Sequence, residues 1–346
     1  MSNTIYLKPE AAKEWCVDIL KKCGQPQEYA KIVADTVVEA NLRGVDTHGL
    51  SMMFHYVNRF STIKTRPVAI VRESSSNMLL DGGDNMGMAV GHIAMTHAIE
   101  KAKKNGTGVV SVRNSNHFGA AAHFAKMAVE HDMIGIAMTS AGRRLAPWGG
   151  IDSILGNNPF SIAVPSRAFP VILDMANSVV AFQKIVQYAN EGRDIPAGWA
   201  MDSEGKPTTS SKDALTGLLM PVGEYKGSGI TILVDILCGA LSQNGMSDTV
   251  ADVDDYAHPR KIGHFFIAIK IADFVDIAIF KQLVDAYTTK IHNVRKAQGV
   301  NRILVPGELE HECERKRLQT GIPIPEAVIE KLNTLSERFG SRKLTG

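Results

Sequence analysis

The chain has 346 residues, 45% hydrophobic and 21% charged, which suits two packed units or one large α/β domain with an appendage. Its 38 basic and 36 acidic residues are dispersed along the chain, and a formal net charge of +2 lacks the basic stripe of a nucleic-acid surface. No run reaches membrane-spanning length, the longest, 230–241, being interrupted by Asp235. The first residues lack a basic region followed by an apolar core, so no signal peptide is expected. The four cysteines form no Cys-x-x-Cys pair, which predicts free thiols in a reducing cytoplasm and neither a zinc site nor a disulfide frame.

Pro9 opens a predicted helix that Gly24 stops, with Trp15, Ile19, Leu20 and Cys23 at helical spacing. A second helix is predicted over 27–42. The break after it, Arg43-Gly44-Val45-Asp46-Thr47-His48-Gly49, presents His48, and a third helix follows over 51–60, so residues 1–60 read as all-helical. After Pro67 the texture changes to short strands at 69–71 and 78–80, a turn at 81–84 and an amphipathic helix at 91–105. A strand ending at Val112 then leads through Arg113-Asn114-Ser115-Asn116-His117-Phe118-Gly119 into a helix over 121–129. A histidine at a strand-to-helix junction stands where α/β enzymes place chemistry, and imidazole exchanges protons near neutral pH. Asn116 is a candidate to hold one ring nitrogen, and Gly119 lets backbone or ligand come close. The plainer alternative is a loop histidine bonded by backbone.

The next strand, 134–138, completes a strand–helix–strand order that predicts a βαβ crossover in a partly parallel sheet. A polar loop with Ser140, Arg143 and Arg144 follows, then the turn Gly156-Asn157-Asn158-Pro159 and a strand over 160–164. A strand over 171–173 ends in Asp174-Met175-Ala176, with a helix over 178–190 behind it. Glu224-Tyr225-Lys226-Gly227-Ser228-Gly229 precedes an apolar helix over 230–241, where free N–H groups and a lysine make a possible anion site. Beyond it lie a strand over 265–271, a helix over 275–296, a strand and turn over 302–308 and a helical, charged tail over 309–346.

Gly-x-Gly-x-x-Gly, His-Glu-x-x-His and Gly-x-Ser-x-Gly are all absent, which argues against a Rossmann site, a zincin metal site and an α/β-hydrolase. What remains is a set of polar turns that together suit one composite pocket without a metal. Six of these motifs in order, from Arg43–Gly49, Asn116–Gly119 and Gly156–Pro159 to Asp174–Ala176, Lys226–Gly229 and Pro306–Glu308, resemble the type-2 malate/L-lactate dehydrogenase family over nearly the whole chain.

The resemblance implies hydride transfer between a nicotinamide cofactor and a small 2-hydroxy or 2-oxo acid, with NAD expected and NADP the alternative. It implies an α/β, non-Rossmann, mixed-sheet NAD(P)-binding fold with a helical subdomain formed by both chain ends. Residues 1–66 with 309–346 would make that subdomain, and 67–308 would bind cofactor and substrate. It also implies a homodimer with sites near the subunit interface. By position His117 matches the acid/base, and Thr47 with His48 the family's Ser/Thr-His pair. Expected cofactor contacts fall on Ser140, Asn157, Asn158, Pro159, Asp174, Met175, Ala176, Lys226, Gly227, Gly307 and Glu308. One position departs: many relatives carry an arginine shortly after the His-Gly pair, and here Met52 stands there. Arg143 and Arg144 are candidates to hold the substrate carboxylate instead, with Arg43 a weaker one and Asn116 beside the site; solvated loop charges are the competing reading for the pair. The departure leaves the particular acid open. A non-catalytic cofactor-binding sensor or scaffold on the same fold is the alternative function.

Overall fold

The computed structural model describes residues 4–345, and its frame is a seven-stranded mixed sheet. In spatial order the strands are Ala69–Glu73, Asn77–Asp81, Thr107–Ser115, Ile262–Lys270, Met133–Thr139, Phe160–Val164 and Val171–Met175. Only Asn77–Asp81 and Thr107–Ser115 pair in parallel, joined by the crossover helix Gly87–Asn105. The crossover expected through the helix Ala121–Val129 is interrupted. Its two strands run the same way but are not neighbours, because Ile262–Lys270 lies between them and pairs antiparallel with both. That strand is buried nearly throughout its first five residues, as a central position demands. Two glycines let the helices press onto the sheet: a Cβ at Gly108 would lie 1.9 Å from the Ala98 carbonyl oxygen, and one at Gly135 would lie 2.1 Å from that of Ala125. Val110, Val112, Phe124 and Phe266 fill the layer between.

A second core gathers Trp15, Ile19, Val33 and Val37 with Leu332 and Leu335 from the other end of the chain. Neither end is purely helical. Thr4–Leu7 is a strand paired antiparallel with Ile322–Pro325, between the helices Glu308–Thr320 and Glu326–Phe339. Each strand has four residues and, among the described residues, pairs with the other alone, at the far end of the chain, so no local pattern announces it. A smaller module packs Val180, Ile185, Ile195 and Leu219 among two short helices and a three-stranded sheet.

Other boundaries move for physical reasons. The apolar helix is Tyr225–Cys238, so the glycines expected to precede it form its first turn, where Gly227 packs against the Val222 carbonyl. The segment 302–306 is not a strand; it ends at Gly307, whose φ of 87° turns the chain into the following helix. The helix expected over 178–190 is Phe182–Asn190, because Ser178 instead bridges to Pro221. The helix expected from 91 begins at Gly87. No helix among the described residues is long and apolar enough to cross a membrane.

Candidate active site

A cleft of about 440 Å³ opens between the end of the helix Gln27–Leu42, the start of Ala121–Val129, the end of the strand Val171–Met175 and the segment 304–310. A second compartment of about 190 Å³ adjoins it. Thr47, His48, Gly119, Asn157 and Pro159 line both, so the two meet there.

His117 faces the smaller compartment from the end of the strand Thr107–Ser115. Its Nδ1 is 2.8 Å from Tyr56 Oη, and among the described residues no group bonds its Nε2. The His48 ring stacks on it with centroids 5.5 Å apart, and Thr47 Oγ1 lies 3.0 Å from His48 Nδ1. Burial holds the His117 imidazole well below its ordinary pKa, and the neighbouring His48 and Arg260 add to the effect. Burial lowers His48 as well, so both rings are neutral near pH 7.

Asn116 does not hold His117. Its Nδ2 donates to the Asp84 and Asn85 carbonyls at 2.9 and 3.0 Å, bracing the turn before the crossover helix. Tyr56, from the helix Met53–Phe60, takes the place expected for it. The two loop arginines separate: Arg143 is exposed, whereas Arg144 lines the smaller compartment with its guanidinium 4.8 Å above the Phe182 ring. Arg43 is buried beside the larger cleft, 3.5 Å from Glu314, and is not part of the compartment that holds His117. Arg260 escaped the sequence reading. It is buried and lines the compartment with His117 and Met52.

Of the residues expected to contact a cofactor, Asn157, Pro159, Asp174, Met175, Ala176 and Gly307 line the larger cleft, and Ser140 lines the smaller compartment. Asn158 is internal. It sits at φ 27° and ties Ala141 N at 2.9 Å, the Thr231 carbonyl at 3.0 Å and Ser247 Oγ at 3.0 Å. Glu308 is spent on His292, Arg302 and Val305 N at 2.8, 3.3 and 3.1 Å, and Glu310 lines the cleft in its place. Lys226 is exposed and Gly227 buried, and neither is among the residues that line the cleft. Asp174 Oδ2 accepts from Ala122 N at 2.9 Å. Its surface is open to the cleft, yet the protein crowded around it pushes its carboxyl up to about 6. Glu39, also missed, bonds His123 at 2.6 Å and pairs with Lys126. Burial would raise its carboxyl, but these two partners hold it well below the ordinary range. Among the described residues no group of three or more His, Cys, Asp or Glu side chains is placed to hold a metal ion.

The malate/L-lactate dehydrogenase family model matches residues 7–333. The chain is 39% identical to a malate dehydrogenase of Pyrococcus abyssi over 353 residues, covering 99% of this chain and 97% of that protein. It is 38% identical to an L-sulfolactate dehydrogenase of Methanocaldococcus jannaschii over 342 residues, covering 97% of this chain and 98% of that one. The solved malate dehydrogenase of Pyrococcus horikoshii OT3 superposes with a TM-score of 0.91 at 36% identity over 99% of both chains. Fold and relatives together define an oxidoreductase that works on a 2-hydroxy acid. More particularly, the chain belongs to the malate/L-lactate dehydrogenase family.

Proposed function

We propose that the protein transfers a hydride between a nicotinamide dinucleotide and a small 2-hydroxy or 2-oxo acid, with His117 as acid and base. The observation that carries this reading is His117 itself: one ring nitrogen fixed by Tyr56, the other unpartnered, in a compartment that meets a long cleft. The cleft fits such a cofactor. Ile172, Leu173, Met175, Pro306 and Leu309 give flat apolar walls for the rings, and the Asp174 carboxylate suits ribose hydroxyls. With Asp174 and Glu310 in its lining, Glu39 already paired with Lys126 and Arg43 already facing Glu314, the cleft favours NAD over a cofactor with an added 2′-phosphate; NADP is the second choice.

When bound, the nicotinamide gives or takes the hydride. In oxidation, neutral His117 accepts the hydroxyl proton at Nε2. In the Nδ1–H tautomer that this role requires, Tyr56 Oη accepts from Nδ1–H and the lone pair stays on Nε2. In reduction the imidazolium returns that proton to the carbonyl oxygen. His48, held by Thr47, packs against the His117 ring and fixes its plane. Arg144 adds positive charge to the substrate compartment.

The core shared by both chain ends supports residues 1–66 with 309–346 as a helical subdomain against 67–308. Leu233 at 63% exposure on the helix Tyr225–Cys238, with Leu283 at 63% and Tyr287 at 67% on the helix Ile277–His292, supports a second copy of this chain packed on those helices, to be checked by sedimentation. The four free cysteines, two of them buried, support a reducing cytoplasmic setting.

The test is to mix purified protein with NADH or NADPH and a panel of 2-oxo acids. Turnover supports the dehydrogenase. Cofactor binding without turnover on any acid favours the sensor or scaffold, and no binding of either nucleotide rejects the cofactor assignment.

A further inference from the structure

Met52 leaves the substrate compartment without the cation that the resemblance places there, and a buried 2-oxo acid carboxylate needs one. Three arginines approach the region, and their surroundings separate them. Arg59 is 4% exposed and its Nη groups are taken up by backbone: it donates to the Asp252, Val253, Asp255 and His258 carbonyls at 3.3, 3.2, 2.7 and 3.0 Å. Arg144 is half-buried, stacked on Phe182 and 3.9 Å from Asp252. Arg260 is 7% exposed, and its one hydrogen bond runs from Nε to the Ala251 carbonyl at 3.0 Å. Among the described residues no carboxylate pairs with it. Among the described residues the remaining guanidinium N–H groups have no acceptor.

We propose that Arg260 is the clamp for the carboxylate of the 2-hydroxy or 2-oxo acid, its free N–H groups binding both oxygens while His117 attends the neighbouring hydroxyl or carbonyl. This rests on the dehydrogenase reading. Arg260, Met52 and His117 line the same compartment, which is the neighbourhood a 2-oxo acid requires, since its carboxylate and carbonyl are adjacent carbons. A buried cation without a partner is costly, and an anionic ligand removes that cost. Burial pulls the Arg260 guanidinium down to about 10, with Arg59 adding to the effect, so it stays charged at neutral pH. Position is secured from both sides. Arg59 pins the backbone of 252–258, and the Ala251 bond fixes the Nε edge, leaving the Nη edge free. The loop opposite leaves that edge room, since even a Cβ at Gly142 would lie 3.8 Å from Arg260 Nη2, an ordinary contact.

The probe is oxamate, titrated calorimetrically into the protein with and without saturating NADH, alongside turnover of the 2-oxo acid panel. Arg260→Gln should weaken oxamate about 10- to 100-fold, the scale of a charge-assisted bidentate contact. Arg260→Lys, which keeps the charge but not the fork, should fall between the two. A purely structural tether to Ala251 would instead lower the melting temperature of the Gln variant and leave oxamate affinity as it was. Wild-type affinity in Arg260→Gln, or no oxamate binding by the wild-type protein, overturns the proposal. If Arg260→Gln does not fold, Arg260→Lys carries the comparison, and unchanged oxamate affinity there overturns it as well. Oxamate bound through Arg260 by a protein that turns over no 2-oxo acid keeps the clamp and rejects the dehydrogenase reading.

Discussion

Replacing Tyr56 by Phe isolates what one hydroxyl does for His117. The ring stays, so Tyr56, 4% exposed and part of the helical core, loses no packing, and the burial of His117 is unchanged. What disappears is the 2.8 Å bond to Nδ1. A neutral hydrogen bond of this kind contributes about 0.5–1.5 kcal/mol net, so the folded protein should lose stability on that scale. The kinetic effect has the same origin. Without an acceptor at Nδ1 the neutral imidazole is free to carry its proton on Nε2, where it cannot act as a base. A bias of about 1.4 kcal/mol is a tenfold change in the productive population, so kcat for oxidation should fall roughly tenfold. KM should stay within a few-fold, because the hydroxyl does not hold substrate in this reading. The assay is steady-state oxidation of the active 2-hydroxy acid with saturating NAD, together with urea unfolding of both proteins. A normal kcat with reduced stability would make Tyr56 purely structural. A normal kcat with a raised KM would place its hydroxyl on the substrate and refute the tautomer argument.

His117→Ala should lower turnover by roughly two to four orders of magnitude with cofactor affinity kept. Because burial lowers the His117 pKa, the neutral base persists below pH 6.5; oxidation should hold its rate into mildly acid solution, whereas reduction, which needs the imidazolium, should slow as pH rises. A pH–rate profile with both limbs above 7 would move the role to another group. Arg59→Met removes the four carbonyl contacts that pin 252–258 and should cost about 2–4 kcal/mol in urea unfolding while raising KM, because Arg260 loses its support. Unaltered KM would separate the loop from substrate binding. Asp174 is held near 6, so if its carboxylate binds ribose hydroxyls, NADH affinity should fall as pH drops below that value and approach tenfold per unit. Asp174→Asn should bind NADH weakly at every pH; a wild-type pH dependence in that variant would remove Asp174 from the site.

What the sequence reveals of this molecule follows the range of the signal. The mixed-sheet fold follows from the family resemblance, whereas most of the strands are legible in themselves because alternation and glycine stops act over a few residues; Phe160–Val164 coincides with its predicted range. The slot of Ile262–Lys270 is not legible, since a strand buried on both faces carries no mark of which neighbours it will take. His117 stands out because strand, polar turn and helix are contiguous. Its partner Tyr56 lies 61 residues away on an apolar helix face, where a tyrosine reads as core. Asn116 looked like that partner by adjacency, but two backbone carbonyls needed its amide more.

The arginines show the same limit in sharper form. A missing cation at Met52 can be read in one dimension, because a motif states what is expected at each place. Its replacement cannot. In sequence Arg143, Arg144 and Arg260 are equal charges on loop-like segments, and the first two attract notice because they stand together. Folding makes them unequal: Arg143 is exposed to solvent, Arg144 is stacked on Phe182 near Asp252, and Arg260 is buried with one hydrogen bond made. The free energy available to an incoming carboxylate depends on how little of the guanidinium is already satisfied by protein or water. That quantity belongs to the three-dimensional surroundings, and by it the arginine with the least conspicuous sequence context has the most to gain from substrate.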